Sequence, residues 1–126
     1  MKGLSMKNNN FGAFIAQKRK EQQWTLRQLA NLLDISAPYL SDVEKGRRHP
    51  FDIEKLKRLT QILKLNKEEE TIMMDLAGQE RSEVPPDLPE YILENEVVRV
   101  ALRTARDQGV GEAEWKKFLK SLKEDS

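Results

Sequence analysis

Two short helical segments joined by three residues constrain this chain most. Thr25 is a strong helix cap, and Leu26, Leu29, Ala30 and Leu33 follow it at spacings of three, one and three. That spacing gives a helix one buried face. The turn "DIS" comes next, and Ser36 caps a second segment, Ala37 to Lys45, with Leu40 and Val43 directed inward. Pro38 falls in its first turn, where a missing N–H costs little and a fixed φ helps the helix start. Gly46 can supply the left-handed residue that ends it.

The rest of the chain is also helical in pattern, with no sustained alternation of period two. A first helix is expected from about Asn10 to Gln22, with Phe11, Phe14, Ile15 and Lys18 along one stripe. Asp52 opens a fourth, with Ile53, Leu56, Leu59, Ile62 and Leu63 apolar. A fifth follows Asn66, begins with the acidic run "KEEE" that complements the helix dipole, and is expected to end at Gly78. The stretch "GQERSEVPPDLP" is polar, then proline-rich, and reads as a linker of moderate stiffness. Helices near Leu88 to Leu93, from Glu96 to Asp107 with Asn95 as cap, and over "EAEWKKFLKSL" complete an all-α chain. The expected divisions are a flexible tail over 1–9, a domain over 10–78, a linker over 79–87 and a helical appendage over 88–126.

Composition narrows the function. Of 126 residues, 38% are hydrophobic and 34% charged, enough for a modest core. Without cysteine there are no disulfides or thiolate metal sites, and a reducing, cytoplasmic setting is natural. His49, the one histidine, is a surface residue rather than a metal ligand in this reading. No metal or cofactor is implied, and no segment could span a membrane. Nucleophile–base groupings, glycine-rich phosphate loops and zinc-binding H-E-x-x-H patterns are missing, so no enzyme is expected. Residues 1–66 hold 13 Lys or Arg and 6 Asp or Glu, for +7, whereas residues 67–126 hold 9 and 15, for −6. A basic front half suggests a polyanionic partner.

Two short helices on a tight turn, within a basic segment, are the pattern of a helix-turn-helix, whose second helix can enter the major groove of DNA. The segment "FIAQKRKEQQWTLRQLANLLDISAPYLSDVEKGRRHP" resembles the DNA-binding domain of the phage repressor and Cro type, the XRE family. The resemblance extends to about residue 78. It implies a five-helix, lambda-repressor-like domain whose third helix reads double-stranded DNA. It also implies an ion pair between Arg19 and Glu44 joining the first and third helices.

By the same resemblance, Ala37, Pro38, Ser41 and Asp42 occupy the base-facing positions. Ala37 can touch a thymine methyl, Ser41 can bond most base edges, and Asp42 can accept from a cytosine amino group. Asp42 is equally well read as a surface carboxylate paired with Lys45 or a nearby arginine. Tyr39 can reach a phosphate or base with its hydroxyl, or close the edge of the core; the DNA contact is preferred. Thr25, Arg27, Lys45, Arg47 and Arg48 are candidate phosphate contacts, since helix N-termini and the loop after the third helix flank the groove. Trp24, just before a helix cap, reads as a core plug rather than a stacking platform.

The C-terminal helices carry more apolar side chains than they can bury by themselves. They must pack on the first domain, on each other across a dimer, or on another protein such as an antirepressor or a toxin; homodimerisation on paired half-sites is the preferred use. Three functions follow: a repressor acting on a palindromic operator, an antitoxin that represses its own operon, or an adaptor that makes protein contacts only.

Overall fold

The structure, a computed structural model, describes residues 10–125, so the tail expected over 1–9 lies outside the described residues. Among the described residues there are eight helices and no strand. The chain divides into two compact units, one ending at Pro89 and the other beginning at Glu90.

The first unit holds α1 (Phe11–Glu21), α2 (Leu26–Leu33), α3 (Ala37–Glu44), α4 (Ile53–Ile62) and α5 (Lys67–Arg81). Each starts at a side-chain cap. Asn10, Thr25, Ser36, Asp52 and Asn66 accept hydrogen bonds from the backbone N–H three residues on. At Thr25 and Asn66 the capping is reciprocal, through Gln28 and Glu69. The apolar stripes converge on one core: Phe11, Phe14 and Ile15 from α1, Leu29 and Leu33 from α2, Leu40 and Val43 from α3, Leu56 and Leu59 from α4, and Met73 and Leu76 from α5. Each such side chain contributes about 1.5–3 kcal/mol by leaving water.

Two contacts made by bare backbone shape this unit. Gly12 lies so close to the carbonyl end of α3 that a Cβ there would stand 2.4 Å from both the Val43 and the Glu44 oxygen. Gly78 does not end α5, contrary to the sequence expectation. It is buried inside the helix, which runs on to Arg81 and stops at Ser82 in the left-handed conformation, φ 57°. A glycine is needed at 78 for the close approach of a neighbouring strand of chain, not for a helix end.

Charged side chains tie α1 to its neighbours. Arg19 donates from Nε and Nη2 to the two Glu44 oxygens, at 2.8 and 3.0 Å, and from Nη1 to the Trp24 carbonyl. Lys18 lies on the buried stripe and reaches Glu69 of α5 at 2.7 Å. Burial works against the Lys18 charge, but the Glu69 hydrogen bond and charge, helped by Glu21, outweigh it and raise its pKa above the usual 10.5. The same bond, with the Asn66 N–H, lowers Glu69 below its usual 4.5.

The second unit contains α7 (Glu96–Asp107) and α8 (Glu112–Glu124), preceded by α6 (Pro89–Glu94). Asn95 stands at the cap position of α7 but does not cap it. Its Nδ2 donates back to the Tyr91 carbonyl at 2.6 Å. Arg99 donates to the carbonyls of Ile92 and Leu93, closing the end of α6. No side chain of α7 or α8 is buried. Trp115 and Phe118 meet edge to face at 6.2 Å, yet Val97, Phe118, Leu119 and Leu122 remain 50–80% exposed. No helix among the described residues is long and apolar enough to cross a membrane.

The charge asymmetry has a sharper location than the two halves suggested. Residues 67–89 hold seven Asp or Glu and two Lys or Arg, whereas Glu90–Ser126 hold eight and seven. The acidic excess belongs to α5 and the segment after it; the second unit is close to neutral.

Candidate nucleic-acid interface

The interface is built on the α2–α3 pair. Between them Asp34 takes the left-handed conformation, φ 62° and ψ 43°, and the Ile35 N–H donates to the Ala30 carbonyl at 3.0 Å. These bonds satisfy carbonyls at the end of α2 and turn the chain within three residues. From α4, Arg58 adds a hydrogen bond to the Leu32 carbonyl at 2.6 Å. Thus α3 is placed from both sides, by α2 and by the Arg19–Glu44 pair on α1.

On α3, Pro38 is exposed, and Ser41 and Asp42 are half-buried on the side away from Leu40 and Val43. Ala37 and Tyr39 are also half-buried and pack against the core. The Tyr39 ring meets Phe51 edge to face at 5.8 Å, and Phe51 in turn meets Phe11 at 6.1 Å. Tyr39 is therefore anchored by its ring, and only its outer edge can serve a ligand.

The basic candidates differ in freedom. Arg27 and Lys45 are exposed, and neither forms an ion pair among the described residues. Thr25 spends its hydroxyl oxygen on the Gln28 N–H, which leaves its proton to donate. Past Gly46, at φ 79°, Arg47 comes within 3.8 Å of Asp42, so this arginine is the partner of that carboxylate. Arg48 lies over the Tyr39 ring, 5.0 Å from its centroid. Guanidinium over a ring is favourable and holds the side chain in place.

Arg81, which the sequence reading passes over, closes this region. Its Nη2 donates to the Pro50 carbonyl, so the end of α5 holds the loop that carries Arg47 and Arg48. A cleft lined by Tyr39, Arg47, Arg48, His49, Arg81 and one acid, Glu80, results. Its cationic lining suits a phosphate oxygen. Among the described residues no cluster of His, Asp or Glu could hold a metal ion.

A short helix on a tight turn, with polar groups outward and arginines just beyond, coincides with a known sequence pattern, described as helix-turn-helix domain, that matches residues 10–71. Residues 10–71 are a helix-turn-helix domain. In this helix-turn-helix domain α2 and α3 are the paired helices, and its function is DNA binding. Comparison with curated proteins returns no match. A solved structure titled as a SinR protein/SinI protein complex is similar over 90% of this chain and 94% of its own, at 23% identity and a TM-score of 0.43.

Proposed function

We propose that this chain is a sequence-specific transcriptional regulator of the cytoplasm, a repressor that binds a palindromic operator as a homodimer. The observation that carries the reading is the joint placement of Ser41 and Asp42 on the outer side of α3 with Arg47 and Arg48 on the loop beyond it. In this reading the two arginines, with Thr25, Arg27 and Lys45, hold phosphates on either side of the groove. Ala37, Pro38, Ser41 and Asp42 face the bases, and Tyr39 offers its hydroxyl at the edge. No Arg or Gln stands at those base-facing positions, so direct hydrogen bonds are few and DNA shape contributes to selectivity.

The exposed apolar side chains of α7 and α8 support self-association, and a near-neutral second unit lets two copies meet without charge repulsion. The same exposure supports a second reading, an antitoxin whose last helices cover a partner protein. Selection of bound duplexes from random DNA, with mass measured in solution, tests the proposal. Recovery of inverted paired sites by a dimer is expected. A monomer that enriches no sequence would overturn it in favour of an adaptor.

A further inference from the structure

Residues 82–88, between α5 and α6, have the composition of a linker but not the structure of a loose one. The chain reverses at Ser82, and the Glu83 N–H donates to the Gly78 carbonyl at 2.9 Å. Backbone atoms of Glu83 and Pro85 then lie across Gly78. A Cβ on residue 78 would come within 2.8 Å of the Glu83 oxygen and the Pro85 nitrogen, and 2.9 Å of the Pro85 Cα. Pro85 begins a turn in which its carbonyl accepts from the Leu88 N–H at 3.1 Å, and Pro89 opens α6. Two prolines fix φ inside this short run and a third follows it.

We infer that Gly78 is a positioning residue: it clasps residues 83–85 to α5 and so sets how far the DNA-binding unit can stray from the rest of the chain. Seven free residues could span about 25 Å, and the three left beyond Pro85 about 10 Å. The difference, about 15 Å per protomer, corresponds to roughly four base pairs along a duplex. The consequence for DNA rests on the homodimer reading: a clasped segment limits a dimer to one half-site spacing, whereas a released one tolerates several. The clasp itself does not depend on that reading.

The two parts are tested separately on the full chain. In Gly78→Ala the added methyl meets backbone, which cannot move aside as a flexible side chain does, so the clasp opens. Amide exchange at Glu83 is expected to quicken about tenfold or more, with the Leu29 and Leu40 amides unchanged. Equal protection of Glu83 in both proteins would overturn the clasp. Should Gly78→Ala fail to fold, the combination Glu83→Gly, Val84→Ser and Pro85→Gly loosens the segment without touching α5. Half-sites recovered by selection are then paired with spacers varied one base pair at a time. Wild type is expected to hold one spacing and the released variant to add neighbouring ones. A released variant with wild-type spacing preference would overturn the role of Gly78. Wild type that selects only unpaired sites would overturn the homodimer reading and the spacing consequence with it, while the exchange result still decides the clasp.

Discussion

The Asp42 carboxylate and the Arg47 guanidinium stand 3.8 Å apart at the exit of α3, a pair that the proposed DNA complex would part, one toward a base and the other toward a phosphate. Arg47 is 69% exposed at its side chain, so the pair is weak and easily exchanged for a phosphate. Removing the carboxylate, as in Asp42→Ala, should tighten binding to unrelated duplex and relax preference at one base position. A good base contact is worth about 1–3 kcal/mol of discrimination. Selection from randomised sites with an unchanged preference would remove Asp42 from the base-facing set.

Arg47→Ala combined with Arg48→Ala should weaken binding to all sequences alike. Each lost phosphate contact lowers the steepness of log affinity against log salt by about 0.9, so a drop near 2 is expected. Titrations from low to moderate salt check this. A slope equal to wild type would mean that Arg48 stays on the Tyr39 ring and Arg47 on Asp42 in the complex as well.

Arg19 and Glu44 pair at side-chain exposures of 11% and 8%. Glu44→Ala leaves a guanidinium buried without its partner, which costs about 3–5 kcal/mol. Urea unfolding followed at Trp24, in a Trp115→Phe background, measures it. A loss below about 1 kcal/mol would mean that water reaches Arg19.

The Lys18–Glu69 bond predicts a pH window. Lys18 is raised above 10.5, so its contribution is complete below that value and lost as pH climbs through the folded pKa. Glu69 is lowered below 4.5, so its contribution is complete above that value and lost as pH falls through the folded pKa. Stability should therefore hold level between the two and fall on both sides. Lys18→Met should flatten the acid limb assigned to Glu69 and the alkaline limb assigned to Lys18. Urea midpoints across pH that match wild type in shape would refute the pairing.

Lys64 follows the last residues of α4 in the left-handed conformation, φ 54°, and is exposed. A residue with a Cβ is strained there by about 1–2 kcal/mol, and glycine is not. Lys64→Gly should stabilise the first unit by about 1 kcal/mol after its greater unfolded-state entropy is counted. A lower urea midpoint would show that the Lys64 side chain contributes more than its backbone strain removes.

Much of the architecture was legible because caps and stripes are local signals. Thr25, Ser36, Asp52 and Asn66 mark helix starts by residue type alone, and the leucines that follow mark the faces. Gly78 misled because the residue that ends helices also permits close backbone approach, and only the folded neighbour distinguishes the two. Asn95 misled for a related reason: the side chain of a good cap can donate backward as well as accept forward. At the interface, residue types named the candidates and an arginine partner for Asp42, but not the partners of the other arginines. Arg48 on Tyr39 and Arg81 on Pro50 join residues nine and thirty-one apart, through a loop whose path no periodicity encodes. Lys18 left a trace, since a lysine on a buried stripe requires an acid, and "EEE" at 68–70 offered three.

Gly12 has one more consequence. It lets α1 touch the carbonyl end of α3 through backbone atoms, so this contact fixes α3 without using the side chains at 38, 41 and 42. Pose and address are written in different places. A descendant of this chain could exchange its outer α3 residues for others and so change what that face recognises, with the mount that holds the helix left as it is.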